Sequence, residues 1–260
     1  MLLLSFAFLS FITIIKVVSS PSPGFTFAQS IPKEGNSEIQ VIQPEGVDID
    51  PEGNLYVNDI EPIRIIKFSN NGTYILSWGS TGSNDGQFNH PHGNEVDQDG
   101  NVYITDQGNT RVQKFTSNGT FITKWGSEGS EDGQFIQPWD VAVDSSNLVY
   151  VPDYGNNRIQ VFTNNGTFIT KWGSEGSADG QLNQPAVITF DPTGLLYITD
   201  SGNHRVQTFD KNGTFIAKWG SKGDGDGQFS KPESIAVDHV GHVYVADTTN
   251  NNVQMYIPKS

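Results

Sequence analysis

Short runs of alternating apolar and polar residues recur along most of the chain. One unit, Pro138 to Gln184, contains four such runs, which read WDVAVD, NLVYVPD, RIQVF and TFITKW. This alternation predicts β-strands, and the Asn-Gly and Asp-containing steps between the runs predict tight turns. No run in the unit has a sustained helical period. We therefore expect an all-β fold built from units of four short antiparallel strands.

The unit repeats every 47 residues. A tryptophan ends the fourth run in four copies, at Trp78, Trp125, Trp172 and Trp219, and a proline opens five copies, at Pro44, Pro91, Pro138, Pro185 and Pro232. A four-stranded unit of this length has the size of a propeller blade. The glycine-rich stretch KWGSEGSEDGQF, at residues 124–135, recurs with the same period. This recurrence favours a joint between blades over an active-site loop.

Further positions agree between the copies. An Asp ends each second run, at Asp59, Asp106, Asp153, Asp200 and Asp247, and an Arg follows five residues later, at Arg64, Arg111, Arg158 and Arg205, with Asn252 in the fifth copy. The pattern P-x-x-[VI]-x-[VF]-D, then [VL]-Y-[VI]-x-D, N-x-R-[VI]-Q-x-F and NGTFI-x-KWGS resembles the NHL repeat. The resemblance runs from Pro44 to the C-terminus and implies a β-propeller. We predict structural roles for the repeated Trp, Asp and Arg residues.

Five repeats predict five blades, of which the last ends at Ser260 after three strands. Residues 27–36, FAQSIPKEGN, fall in register with FITKWGSEGS at residues 121–130. We therefore expect an N-terminal strand to complete the last blade and to close the ring, since closure leaves no open sheet face. The alternative is an open arc or a ring of the six-bladed type, which is common among NHL domains.

The N-terminus differs from the repeats. Met1–Val18 is apolar apart from Ser, Thr and Lys16, and the small-x-small sequence Thr26-Phe27-Ala28 follows. We predict a signal peptide at residues 1–28, a propeller domain at residues 29–260 and a secreted or cell-surface protein. An uncleaved N-terminal anchor is the alternative, and it is the one case in which we expect a membrane association.

Charge and cysteine content exclude several classes of partner and chemistry. The chain has 29 acidic and 15 basic residues, a formal net charge of −14 and no cysteine. Such an acidic surface repels phosphates, so we expect no nucleic-acid partner. The absence of cysteine excludes disulfides, thiolate catalysis and Cys-ligated zinc.

Function is expected where the copies differ. The slot after the opening Pro holds Glu45, His92, Trp139, Ala186 and Glu233. It precedes the innermost strand of each blade, so these side chains should gather at one mouth of the central channel. Trp139 and its neighbour Asp140 predict a ligand-binding contact there. One His and several carboxylates predict a divalent-cation site, made by Glu45, His92 and Glu233 with Asp48 and Glu95 behind them.

These features favour an exported binding or scaffold module, without catalytic activity, for a protein, peptide or glycan ligand. The variable slot also resembles a metal-ligand position of the amidating lyases, NHL-type propellers that hold zinc with one His from each of several blades, but only His92 matches. The alternative is therefore a metal-dependent lyase or hydrolase of the amidating-lyase or lactonase kind. Resemblance to tripartite-motif NHL proteins implies RNA binding or recognition of ubiquitination targets, which the acidic charge and the lack of a RING oppose.

An Asn-Gly-Thr triplet joins the third and fourth runs in four copies, at Asn71, Asn118, Asn165 and Asn212. Asn-Gly favours a tight hairpin turn, and the same triplet is an N-glycosylation sequon. The two interpretations are compatible because a hairpin tip is exposed. Modification requires a cell that exports the protein through its glycosylation machinery.

Overall fold

The computed structural model describes residues 39–257, which form five antiparallel sheets. The first sheet comprises β1 Pro44–Ile49, β2 Leu55–Ile60, β3 Ile63–Phe68 and β4 Tyr74–Trp78, and the second comprises β5 Pro91–Val96, β6 Val102–Asp106, β7 Arg111–Phe115 and β8 Phe121–Trp125. The third sheet comprises β9 Ala142–Val143, β10 Val149–Asp153, β11 Arg158–Phe162 and β12 Phe168–Trp172. The fourth sheet comprises β13 Pro185–Phe190, β14 Leu196–Asp200, β15 Arg205–Phe209 and β16 Phe215–Trp219. The fifth sheet comprises β17 Pro232–Val237, β18 Val243–Asp247 and β19 Asn252–Tyr256.

The sheets are the blades of a five-bladed β-propeller, which confirms the predicted fold class. Each blade is a meander in chain order, and the first strands β1, β5, β9, β13 and β17 pack on one another in succession around the channel. The outer strand predicted for the last blade, at residues 27–36, lies outside the described residues, as does the predicted signal peptide at residues 1–28. Within residues 39–257 no helix is long and apolar enough to cross a membrane.

The hydrophobic cores lie between successive blades rather than within one blade. The core between blades 2 and 3 contains Tyr103 and Val112 from blade 2 and Val141 and Val151 from blade 3, with Phe135 of the joint between them. This arrangement follows from the alternating sequence pattern, because successive strand residues point to opposite faces of the sheet. Both faces of an internal blade therefore carry apolar residues.

The glycine-rich stretch is a joint held by a buried ion pair. Asp106 is fully buried, and its carboxylate accepts hydrogen bonds from the Asn89 amide at 2.7 Å and from Nε of Arg111 at 2.7 Å. The same guanidinium donates to the carbonyl oxygens of Ser83 at 2.8 Å and Gln87 at 2.8 Å, in the preceding joint. Arg158 and Arg205 make the equivalent bonds in blades 3 and 4. The repeated charges thus fix one blade on the next.

Three of the four repeated tryptophans, Trp78, Trp125 and Trp172, contact the hairpin turn of the following blade. Trp125 lies partly buried against Phe162, with ring centroids 5.9 Å apart. Gly166 of the Asn-Gly turn has a φ of +83°, and a Cβ atom there would lie 2.5 Å from the indole ring of Trp125. Gly119 and Gly213 are placed in the same way on Trp78 and Trp172. The Asn-Gly turn therefore serves the blade junction as well as its own hairpin.

This contact can be tested by adding one methyl group. We expect Gly166→Ala to lower the free energy of unfolding by about 1–2 kcal/mol for the left-handed backbone and by about 1–3 kcal/mol more for overpacking against Trp125. Gly194→Ala is the matched control, since Gly194 has a φ of +87° and no atom within 4 Å of the added Cβ. Equal losses for the two variants in urea unfolding would show that the contact with Trp125 does not matter.

Candidate functional site

The variable slot lies at one mouth of the channel, where the inner strands begin. Pro91 at the start of β5 pairs with Asp106 at the end of β6, so the turns between second and third strands lie at this mouth too. Ala186 is fully buried, whereas the other slot residues are partly exposed. The structure thus places four variable side chains, from four blades, at one opening, although the side chain of Glu45 is itself buried: Glu45, His92, Trp139 and Glu233.

Three rings form a stacked row at this mouth, which we call the aromatic strip: His92, Trp139 and Tyr154. The centroids of His92 and Trp139 are 4.5 Å apart, and those of Trp139 and Tyr154 are 4.4 Å apart with an interplanar angle of 21°. All three side chains are partly exposed. The strip crosses from blade 2 to blade 3 and offers a ligand a flat, mainly apolar surface.

A His–carboxylate contact and a Lys–carboxylate ion pair flank the aromatic strip. Nε2 of His90 lies 3.4 Å from a carboxylate oxygen of Glu45, and Nζ of Lys231 lies 2.5 Å from a carboxylate oxygen of Glu233. Burial raises the pKa of Tyr154, while the charges of Lys231 and Glu233 lower and raise it respectively. Charged residues of blade 5 are therefore close enough to the aromatic strip to shift the pKa of Tyr154. Charged side chains thus lie beside the aromatic strip at the mouth.

The described residues do not bring the members of the predicted cation site into one group. Among residues 39–257 no group of three or more His, Asp or Glu side chains is placed to hold a metal ion. The predicted members have other neighbours, because Glu45 pairs with His90, Glu233 pairs with Lys231 and the ring of His92 lies against Trp139. A shared slot in the repeat places the backbones around one opening, but it does not direct the side chains to one point.

The imidazole of His92 is held in its neutral form. Burial and the nearby His90 lower the pKa of His92 to about 4, although a hydrogen bond with the Trp139 backbone opposes the shift. At neutral pH the ring is therefore an uncharged member of the aromatic strip. Its role there is stacking rather than charge.

Three carboxylates lie along the channel, and we call them the channel carboxylates: Asp48 on β1, Glu95 on β5, and Asp140 just before β9. Each accepts a backbone hydrogen bond from the next blade. Asp48 accepts from the amide of Val96 at 2.6 Å and Asp140 from the amide of Ile188 at 3.1 Å, while Glu95 accepts from the backbone of Val143. These bonds tie the inner strands together where the blades converge.

The channel carboxylates are costly to ionise. Burial raises the pKa of Asp48 to about 6 and that of Asp140 to about 7. Burial also raises the pKa of Glu95 well above its usual range, and the charges of Asp48 and Asp140 raise it further. Like charges in a poorly solvated channel oppose one another, so the group retains protons in the neutral range.

The opposite end of the channel opens into a cavity of about 350 Å³. It is lined by turns that join first and second strands, including Asp144, Asp191 and Thr193. Glu95 also lines this cavity, whereas Asp144 and Asp191 serve their own turns. Asp191 accepts bonds from the amides of Thr193 at 2.8 Å and Leu195 at 2.9 Å, and Asp144 accepts from Leu148 at 2.8 Å. We therefore regard the mouth with the aromatic strip as the stronger candidate.

Sequence analysis found Trp139, Asp140 and His92 but not Tyr154, His90 or Lys231. Tyr154 occupies the position directly after the repeated Asp, where the other copies have Ile60, Gln107, Ser201 and Thr248. This position varies as much as the slot after the proline. The same comparison of copies, extended to the turn after the second strand, would have identified it.

Comparison with known proteins supports a propeller of repeated units. A sequence profile of the family described as "NHL repeat" matches residues 88–115, 135–162, 182–209 and 229–256. Each match runs from the Phe or Leu that ends a joint to the end of a third strand. No curated protein matches the chain in sequence.

Solved structures share the fold at low sequence identity. The structure titled "Streptogramin B lyase structure" is 16% identical with a TM-score of 0.62, covering 84% of this chain and 70% of its own. A virginiamycin B lyase from Staphylococcus aureus is 15% identical with a TM-score of 0.60, covering 84% and 71%. A chain of a nidogen/laminin complex is 19% identical with a TM-score of 0.61, covering 83% and 76%. These likenesses concern the fold alone.

The channel carboxylates predict an unusual dependence of stability on pH. Their raised pKa values mean that the folded protein holds protons that the unfolded chain releases above about pH 4. Their contribution to stability is therefore lost as the pH rises through about 6 for Asp48 and about 7 for Asp140. We expect Glu95→Gln to raise the free energy of unfolding at pH 8, on the order of 1–2 kcal/mol, and to change it less at pH 5.

The control for this prediction is Asp132→Asn. Asp132 lies in a joint, is 55% exposed and pairs with Lys171. Urea unfolding at both pH values should show little change for this variant. A Glu95→Gln protein as pH-dependent as the parent would contradict the assignment of the effect to the channel.

Proposed function

The chain is an NHL-repeat β-propeller, and we propose that it is a binding module whose aromatic strip receives a segment of a protein ligand. The observation that carries this proposal is the stacking of His92, Trp139 and Tyr154 at an open channel mouth. Exposed, pre-aligned rings lose little side-chain entropy on binding and commonly anchor protein partners. A propeller chain found in a nidogen/laminin complex agrees with a protein ligand at this general level.

The chemistry of the mouth favours a basic ligand segment. The chain carries a formal net charge of −14, and Glu45 and Glu233 lie at the mouth beside the aromatic strip. An Arg or Lys side chain of the ligand can lie over the Trp139 or Tyr154 ring. We therefore propose a peptide segment that combines basic residues with an aromatic or other flat group.

A lyase function has less support. The lyase structures share the fold at 15–16% identity, and a shared fold carries no chemistry by itself. A metal-dependent mechanism needs a set of protein ligands, and the part of the chain that the structure describes offers no group of three. The binding proposal uses the side chains that do converge.

The binding proposal is tested by selecting random linear peptides on the purified protein and measuring the affinity of the enriched sequences. We expect Arg or Lys together with aromatic residues, and we expect binding to weaken with salt. Trp139→Ala and Tyr154→Ala should each weaken binding about tenfold or more, equivalent to about 1.4 kcal/mol.

Ile122→Ala is the matched control, because Ile122 is 43% exposed on the outer strand of blade 2, away from the mouth. It should leave the affinity unchanged. Selected peptides that bind Trp139→Ala as tightly as the parent would refute the site. Enrichment of neutral or acidic peptides would refute the proposed ligand chemistry.

We also propose that the protein is exported, from the apolar segment and the small-x-small sequence at residues 1–28. The sequon residues Asn71, Asn118, Asn165 and Asn212 are all exposed. Their turns follow the third strands, whose other ends begin beside the mouth, so the sequons lie at the end of the blades away from the aromatic strip. Glycans at these positions would leave the strip accessible.

Export predicts that material secreted by a eukaryotic host begins at Gln29 and carries N-linked glycans. Enzymatic removal of the glycans should shift the mass in steps, and replacing all four Asn residues by Gln should abolish the shift. Retention of Met1 in a membrane fraction would indicate an anchor instead. Secreted protein without glycans would show that the Asn-Gly-Thr triplets serve only as hairpin turns.

A further inference from the structure

The cavity at the end of the channel opposite the aromatic strip has the features of a second binding site. Its volume is about 350 Å³, and blades 2, 3 and 4 each contribute the turn between their first and second strands to its wall. This volume lies within the usual range for small-molecule sites. Among residues 39–257 no group of three or more His, Asp or Glu side chains is placed to hold a metal ion. A small organic molecule therefore suits the cavity better than a metal ion.

Hydrogen bonds within the turns fix the walls of the cavity. Asp144 accepts from the amides of Ser146 and Leu148, both at 2.8 Å, and the equivalent Asp of the other two turns makes the same two bonds. The Phe190 ring lines the cavity and packs edge-on against Tyr150, with ring centroids 5.1 Å apart. A ligand thus meets a preformed surface whose side chains lose little freedom on binding.

Negative charge predominates in the cavity. Within residues 39–257 its lining combines four carboxyl groups with one lysine: Glu95, Asp97, Asp144, Asp191 and Lys211. Ser145 and Ser146 add hydroxyl groups that can accept hydrogen bonds. Val143 and Phe190 supply apolar surface. Because opposite charges attract more strongly in a partly enclosed site than in water, this lining favours a ligand with cationic groups on an apolar body and opposes an anion.

Glu95 links the cavity to the other channel carboxylates. It lies on the inner strand β5 and lines the cavity, and the charges of Asp48 and Asp140 act on its carboxyl group. Its hydrogen bond comes from the backbone of Val143, and within residues 39–257 no side chain donates to it. An ionised carboxyl group has about four acceptor sites, so most of those of Glu95 are available to a ligand. A cationic nitrogen is the donor that best satisfies them in this surrounding of like charge.

We propose that this cavity binds a small organic cation, such as a diamine or an alkylguanidine, with one cationic nitrogen at Glu95 and its apolar body against Val143 and Phe190. The nitrogen donates charge-assisted hydrogen bonds to the carboxylate. A second nitrogen of a diamine faces the turn carboxylates of Asp144 and Asp191. The cavity and the aromatic strip have no residue in common, so this site does not depend on the peptide ligand proposed above.

Binding of the cation should release protons. Burial raises the pKa of Glu95 well above its usual range, and the charges of nearby carboxylates raise it further: Asp48, Asp140 and Asp97. A cation beside Glu95 favours the ionised form and lowers this pKa. The other charged groups of the cavity are Asp144, Asp191 and Lys211, and no histidine lines it among residues 39–257. Because an ammonium group stays charged between about pH 6 and pH 8, the affinity should increase with pH over this range.

Isothermal titration calorimetry of the full chain with diaminobutane tests the proposal, with butanediol as an uncharged control of the same length. Diaminobutane should bind more tightly than butanediol by about tenfold or more. Its affinity should rise about fivefold or more from pH 6 to pH 8. Heats measured in two buffers of different ionisation enthalpy should reveal the protons that are released.

Two variants test whether the cation lies in the cavity. Glu95→Gln removes the charge and keeps the shape, so it should weaken diaminobutane binding about tenfold and reduce the proton release. Ser145→Lys adds a cation at an exposed turn of the cavity and should also weaken binding. Ser127→Lys is the matched control, because it adds the same charge at an exposed position of a joint, and it should bind like the parent. Circular dichroism should show that every variant is folded.

Four results would overturn the proposal. Equal affinity for diaminobutane and butanediol would refute a cationic ligand, and the absence of measurable diaminobutane binding would refute the site as a whole. Unchanged binding by folded Glu95→Gln and Ser145→Lys proteins would place the cation outside the cavity. Competition between diaminobutane and the peptides selected for the aromatic strip would place the cation at the mouth instead.

Discussion

The buried bond network between a repeated Asp, a repeated Arg and the preceding joint holds the propeller together. A charged pair is stable in the interior only when its remaining hydrogen-bonding atoms are also satisfied. Arg111 meets this requirement with the carboxylate of Asp106 and with carbonyl oxygens of the joint. The joint follows the last strand of one blade, and the Arg belongs to the next blade. The hydrogen bonds between them therefore fix the position of one blade relative to its neighbour. At blade 1 Arg64 still binds Asp59, with the carbonyl of Gln40 as its backbone partner.

Because this framework is repeated, the mouth of the channel is free to vary. The side chains after the opening proline and after the repeated Asp do not belong to the network, so their identity can change without loss of the blade junctions. The chain uses this freedom for the aromatic strip, in which Trp139 and Tyr154 stack on the rigid ends of blade 3. Preorganised side chains on a rigid support lose little freedom on binding. The stability of the propeller and the choice of ligand are thus carried by different residues.

The sequence was sufficient for the repeat unit, the five blades, the hairpin turns and the nature of the joint, because each depends on local patterns copied at a fixed spacing. The arrangement of side chains at the mouth was not predictable in the same way. Glu45 and His92 share a slot, yet Glu45 pairs with His90 and His92 stacks on Trp139. The direction of a side chain depends on its neighbours from other blades, and these neighbours differ from copy to copy. The repeat of the sequence therefore does not predict the direction. The same reason explains why side chains that share a slot were predicted to converge. Tyr154 was missed for another reason, because the copies were compared after the opening proline and not after the repeated Asp.

The contact between each tryptophan and the glycine turn of the following blade bears on how such a chain can grow. The units of blades 2 and 3 each contribute an indole ring to the junction ahead and an Asn-Gly turn to the junction behind, as Trp125 and Gly119 do in blade 2. Duplication of one unit in register therefore creates a complete new junction without any further substitution. Coupling in such an array passes only between neighbours. An insertion of any length other than a whole unit would separate a ring from its turn.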